Sequence, residues 1–254
     1  MDNHDLIGLL IFILIVYLAT YLLSKIHDNR VTQFIPEFIG VIGVLYQLII
    51  NRNESFKELG FIFSVPKMYL YGILAISGVL IIILSSGCYF VKLKLKKDLR
   101  YKKVLVFFIK LFFFNTLVAV FTEELVFRGI VQRQLLQYFP PLYAIIVASF
   151  IFGIWHIPFI RSLKISNSQI YLYPLGVTLL GVILGLFYYK SQSLIMAGVL
   201  HGLWNGIVYT VWGVGGILKG MFEDRKDVLT HPEYGFIGIT VLILSVSVLL
   251  LIWL

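Results

Sequence analysis

Apolar runs of about 20 residues, long enough to cross a bilayer as helix, recur along the whole chain and restrict its fold more than any other feature. Continuous apolarity over such lengths means helix, because lipid offers no partner to an unpaired backbone group. Eight runs are expected to span: Leu6–Ser24, Gln33–Ile50, Met68–Val91, Val104–Gln137, Pro141–Ile160, Ile170–Tyr189, Ser193–Gly213 and Tyr234–Leu254. The fourth is longer than a bilayer requires, so part of it is expected to lie along the interface or emerge from it. The predicted fold is an all-α, polytopic transmembrane helical bundle forming a single domain over residues 1–254. No repeat is visible, and the linkers are short and polar, as in Asn51-Arg52-Asn53-Glu54-Ser55.

Composition excludes a soluble globule. Of 254 residues, 59% are hydrophobic and 13% charged, with a mean hydropathy of +0.93, whereas soluble domains carry about 25% charged residues. A cell-membrane, multi-pass placement follows. The single cysteine, Cys88, excludes an internal disulfide framework and is expected to pack within its apolar run. The start, Met1-Asp2-Asn3-His4-Asp5, is acidic, and the run after it is too long for a signal-peptide core, so an uncleaved first span is expected.

A net charge of +8 does not point to nucleic acid, because most basic residues flank apolar spans, where membrane orientation and anionic lipid account for them. The loop 92–103 alone holds seven: Lys92, Lys94, Lys96, Lys97, Arg100, Lys102 and Lys103. With an external N-terminus, these join Lys25, Arg30, Arg161, Lys164, Lys219, Arg225 and Lys226 on the inner side, fourteen in all. The outer side holds five, Arg52, Lys57, Lys67, Arg133 and Lys190. Both termini are therefore predicted to face out.

Function is sought in the ionisable groups that lie where lipid should exclude them. A charge at mid-bilayer costs about 2.5–3.5 kcal/mol even on the mildest scale. Glu37 lies near a span end and can reach the interface. Glu123 and Glu124 lie adjacent within the fourth run. Glu124 and Arg128, four apart on a helix, share a face and are expected to pair, whereas Glu123 points about 100° away, free to face a cavity. His156 shares a helical face with Phe152, and His201 shares one with Asn205. Gly198, Gly202 and Gly206 line the same span beside that face, and Gly181 with Gly185 notch the preceding one, as close helix packing allows. His4, His27 and His231 fall in tails or loops and are expected to be solvated. HExxH, GxSxG and phosphate-binding glycine loops are absent.

Glu123-Glu124-x-x-x-Arg128, Phe152-x-x-x-His156 and His201-x-x-x-Asn205 resemble, in order and spacing, the three motifs of the CPBP family. That family comprises the CAAX prenyl endopeptidases and the bacterial bacteriocin-processing or immunity proteins, also called Abi proteins. The resemblance covers about 104–213, with no departure at a motif position. It implies an intramembrane endopeptidase with a water-filled cavity among the motif-bearing spans, acting on a peptide or lipidated-peptide substrate such as a prenylated tail. Glu123 would be the general base that activates water, assisted by His156. His201 and Asn205 would stabilise the oxyanion, and Glu124 and Arg128 would support the site. Members have also been read as metalloproteases, and Glu123, His156 and His201 would then hold zinc. Asn205 is a poor zinc ligand and a good amide donor, which favours a reaction without cofactor.

Two other functions fit such a chain: a non-catalytic immunity or scaffolding protein of the same fold, and a transporter relaying protons through Glu and His. Transporters usually show paired repeats or broken helices in both halves, and neither is visible here.

Overall fold

Where the sequence offers long apolar runs, the chain forms helices. The computed structural model describes residues 3–24, 35–50, 56–160, 165–214, 218–223 and 226–253. The principal helices are α1 (Asn3–Ser24), α2 (Ile35–Ile50), α3 (Pro66–Ser86, continued by a π-helical turn Gly87–Val91) and α4 (Tyr101–Phe121). After a π-helix, Leu125–Gln132, come α5 (Arg133–Tyr138), α6 (Pro141–Trp155), α7 (Ile157–Ile160), α8 (Asn167–Ser191) and α9 (Leu194–Val211). A minimal hairpin, β1 (Gly213–Val214) with β2 (Leu218–Lys219), is followed by α10 (Asp227–Thr230) and α11 (Phe236–Trp253).

Six of the described helical stretches are long and apolar enough to cross a membrane. Helix α1 adds an apolar stretch Ile7–Ala19, and α2 adds 16 residues of similar character. The chain is a polytopic helical bundle and an integral membrane protein. Its outer face is built of large apolar side chains, among them Leu10, Leu14, Phe114, Leu117 and Leu251, which lipid accommodates and water would not.

Two helix pairs dominate the packing, α4 with α9 and α6 with α8. The first needs glycine. A Cβ at Gly198 would collide with the Val120 side chain, and one at Gly202 with Thr116, backbone and hydroxyl together. Bare backbone at these positions lets α4 lie directly against α9.

The long fourth run does not keep to one helix. Helix α4 stops at Thr122, whose φ and ψ of −123° and −90° leave the helical region. Its hydroxyl donates back to the Val118 carbonyl at 2.6 Å, and the chain resumes as a π-helix whose eight residues are all buried. This stretch of the long run, Leu125–Gln132, therefore lies inside the bundle. Beyond α9, the hairpin segment clips onto the basic loop. Lys96 N–H donates to Met221 O at 3.0 Å and Glu223 N–H to Lys94 O at 2.9 Å. The Lys96 ammonium donates to Gly220 O.

Two expectations are corrected. Cys88 is exposed on the π-turn after α3, facing outward instead of packing. His231 is buried, because the turn before α11 folds it inward: its ring stacks on Tyr234 with centroids 3.6 Å apart and planes within 5°. Lys25, His27, Arg30, Gln33, Asn51–Ser55, Arg161, Lys164, Arg225 and Leu254 lie outside the described residues, as do the side chains of His4 and Glu37.

Candidate active site

The break at Thr122 places two adjacent glutamates at the junction between α4 and the π-helix, and their environments differ. Glu124 is fully buried and Arg128 nearly so, and the Arg128 Nε lies 3.1 Å from Glu124 Oε2. The expected pair at a spacing of four therefore exists. Arg128 Nη2 donates to the Gly181 carbonyl at 3.2 Å, and its guanidinium sits 4.6 Å above the Phe152 ring. One turn on, Gln132 Nε2 donates to Gly185 O at 2.9 Å. Arg128 and Gln132 thus keep step with Gly181 and Gly185; a Cβ at Gly185 would meet the Gln132 side chain, while one at Gly181 would meet Phe152 and Ser149 of α6. π-Helical turns of this kind often occur at functional sites.

The other Glu124 oxygen makes a contact that its local sequence does not announce. Glu124 Oε1 lies 2.7 Å from His201 Nδ1, 77 residues away. A carboxylate accepts, so His201 Nδ1 carries a proton and donates it. Glu124 therefore joins Arg128 on one side to His201 on the other, and fixes the orientation of that imidazole.

Glu123 points elsewhere. Its Oε2 lies 3.6 Å from His201 Nε2 and 3.9 Å from His156 Nε2. Both separations exceed a direct hydrogen bond. His156, which caps the C-terminal end of α6, donates from Nδ1 to the Phe152 carbonyl at 2.8 Å, which leaves its Nε2 as an acceptor when the ring is neutral. The side chains of Glu123 and His156 keep 14% and 15% exposure, unlike Glu124 and Arg128, although the Glu123 Oε2 that faces the histidines is itself buried and has no hydrogen-bond partner among the described residues. Phe152 organises the group: besides holding His156 and Arg128, its ring meets that of His201 edge-on at 6.1 Å.

Glu123, Glu124, Arg128, His156 and His201 thus come together from four elements. Asn205 lies one turn beyond His201 on α9, and its side chain makes no hydrogen bond among the described residues. The arrangement offers a partly accessible carboxylate, an imidazole acceptor beside it, and a second imidazole oriented from behind.

A third carboxylate, missed in the sequence, stands near these groups. Glu233 is buried with 5% exposure, and its Oε1 accepts from Trp204 Nε1 at 2.9 Å. It lies within electrostatic reach of His201 and Glu123. Burial pushes its carboxyl up to about 7, the Trp204 hydrogen bond and His201 opposing the shift and Glu123 adding to it. Tyr173 and Tyr209 share this polar region. The signal that could have found Glu233 was its place immediately before the last apolar run, in His231-Pro232-Glu233-Tyr234-Gly235.

Among the described residues no set of three or more His, Cys, Asp or Glu is placed to hold a metal ion, while the Nδ1 bonds of His156 and His201 leave both Nε2 atoms turned toward Glu123.

Residues 105–207 match the family described as type II CAAX prenyl endopeptidase, Rce1-like. No curated protein matches the chain significantly. The family match spans the break, both histidines and Asn205. It supports membership of the CPBP family, whose Rce1-like members are proteases, and with it a CAAX-type intramembrane endopeptidase fold.

Proposed function

With CPBP family membership as the premise, we propose that this protein is an active intramembrane endopeptidase of the cell membrane, cleaving a membrane-associated peptide or prenylated tail with a water activated by Glu123 and His156. The observation that carries this is Glu123 Oε2, without a hydrogen-bond partner among the described residues, standing 3.9 Å from His156 Nε2 and 3.6 Å from His201 Nε2.

A water between them gives one hydrogen to the Glu123 carboxylate and the other to His156 Nε2, leaving a lone pair for the scissile carbonyl carbon. Glu123 takes the proton as the O–C bond forms. Negative charge then builds on the carbonyl oxygen, beside His201 and Asn205. His201 already donates from Nδ1 to Glu124, so it must carry both protons to donate from Nε2 to this oxygen as well. The Asn205 amide supplies a second donor, and donors fixed in a low dielectric act on the oxyanion far better than water does. When the tetrahedral intermediate collapses, the C–N bond breaks and Glu123 returns its proton to the leaving amine. Glu124 and Arg128 are supporting groups that hold His201 in place.

This scheme routes no step through a metal. A shallow, open apolar depression between α4 and α9, lined by Leu105, Phe108, Ile207 and Met221 among others, could seat the hydrophobic part of such a substrate. It lies on the helix that carries His201 and Asn205.

The test is Glu123→Gln, assayed in proteoliposomes on an internally quenched peptide ending in a farnesylated CAAX sequence. Loss of a general base should cost about a hundred- to ten-thousand-fold in turnover, with the protein accumulating normally. A biological effect that survives Glu123→Gln would instead establish the non-catalytic, immunity or scaffolding alternative.

A further inference from the structure

The segment that carries Glu233 is placed with unusual care. On α8, Gly176 has no side chain where a Cβ would collide with the Glu233 carbonyl, so the helix admits this backbone directly. The Glu233 N–H donates to His231 Nδ1 at 3.2 Å. That makes Nδ1 the acceptor of a neutral ring, and Nε2 donates to the Gly213 carbonyl at 3.2 Å. His231 stacks on Tyr234, Tyr234 lies 5.9 Å from Tyr173, and Tyr173 lies 6.3 Å from His156. A chain of rings therefore ties this turn to the site. The carboxylate it presents is bonded to Trp204, three residues after His201 on the same helix.

Packing alone does not require an acid here. An amide would accept the Trp204 hydrogen bond equally well and would avoid burying an ionisable group. We propose that Glu233 is a positioning residue of the site that works in its protonated form, and that its ionisation weakens the oxyanion stabilisation His201 provides. This inference rests on the function proposed above.

The reason is electrostatic. Glu123 and Glu124 already place two carboxylates at His201. A third negative charge in the same low-dielectric space opposes any negative charge growing on the substrate carbonyl. A neutral Glu233 avoids this and still accepts from Trp204. The titratable groups that face or adjoin it are Glu123 at the helix break, His201 and Tyr209 on α9, Tyr173 on α8, and its neighbours His231 and Tyr234. Burial keeps the protonated form present up to about pH 7. It is lost as pH rises through that value, so Glu233 contributes an alkaline limb to the activity profile.

Glu233→Gln tests this by keeping the shape and the Trp204 hydrogen bond while removing the titration. The quenched farnesylated peptide is followed from about pH 5.5 to about pH 8.5, with wild type, Glu233→Gln and Glu123→Gln in parallel. At about pH 6 the Glu233→Gln enzyme should match wild type within about twofold, and at about pH 8 it should exceed it about tenfold, since about one-tenth of Glu233 then remains protonated. An unmoved profile would assign Glu233 to packing and overturn the proposal. Loss of activity at every pH in a folded Glu233→Gln protein would overturn it too, because the ionised form would then be the working one. An active Glu123→Gln enzyme would instead overturn the proposed function. A readout independent of turnover is infrared difference spectroscopy of wild type against Glu233→Gln. It should show a protonated-carboxyl stretch at about pH 6 that disappears by about pH 8.5. Absence of that band at the lower pH overturns the proposal even where no peptide is cut.

Discussion

Arg128→Ala removes three interactions at once, and their sizes can be worked from the structure. The guanidinium lies 3.1 Å from Glu124, donates to Gly181 O at 3.2 Å and covers Phe152 at 4.6 Å. Breaking a buried ion pair from one side costs about 3–5 kcal/mol, because the charge left behind has neither partner nor water. The carbonyl bond contributes about 0.5–1.5 kcal/mol and the ring contact about 0.5–2 kcal/mol. These terms share atoms and do not add. His201 remains as a partner for Glu124, so the expected loss is about 3–5 kcal/mol in total. Thermal unfolding in detergent, read beside steady-state accumulation in membranes, measures it. Replacing both partners, Glu124→Gln with Arg128→Met, removes the stranded charge and should recover most of the stability. It should not recover turnover, because His201 loses the carboxylate behind it. An Arg128→Ala protein within about 1 kcal/mol of wild type would refute this reasoning. An abundant, well-folded but inactive one would place Arg128 in the chemistry itself.

Asn205→Ala should lower turnover about a hundred- to a thousand-fold, about 2.7–4 kcal/mol, the usual cost of one oxyanion donor. Unchanged turnover would remove that residue from the site, and stoichiometric zinc lost and restored together with activity would overturn the metal-free scheme. The basic loop 92–103 is predicted cytoplasmic with both termini outside. Lys97→Cys in a Cys88→Ser background should then resist an impermeant thiol reagent in intact cells; the exposed Cys88 must be removed first, and labelling from outside would reverse the topology.

Much of the fold was legible because lipid makes each apolar run choose helix. What the runs could not show was the break within the fourth. Its apolarity continues to Phe121, and no glycine or proline within 117–128 announces a break, yet the backbone leaves the helical region at Thr122. The fate of His231 was hidden for a related reason. A short polar segment between spans usually faces water, but here Gly176 opens a place for Glu233, and His231 follows it inward. The glycines at 198 and 202 were legible as a packing stripe, while their partners Val120 and Thr116 required the three-dimensional pairing of α4 with α9.

Two adjacent carboxylates in a membrane protein are expensive, and their different surroundings show why one would not serve. On a regular helix Glu123 and Glu124 diverge by about 100°, so a single element can send one inward and the other toward a cavity. Glu124 takes the inward place. Its two oxygens bind Arg128 and His201, it has no exposure, and no water can reach it to give up a proton. Glu123 keeps partial exposure and stands off both histidines by more than a direct hydrogen bond. Exchanging the two by a one-residue slip would bury the base and expose the support, so the phase of this segment matters as much as its composition. The break at Thr122 sets that phase. A substitution there that restored regular helix would rotate both glutamates, and the expected result is loss of turnover with all the ionisable residues still in place.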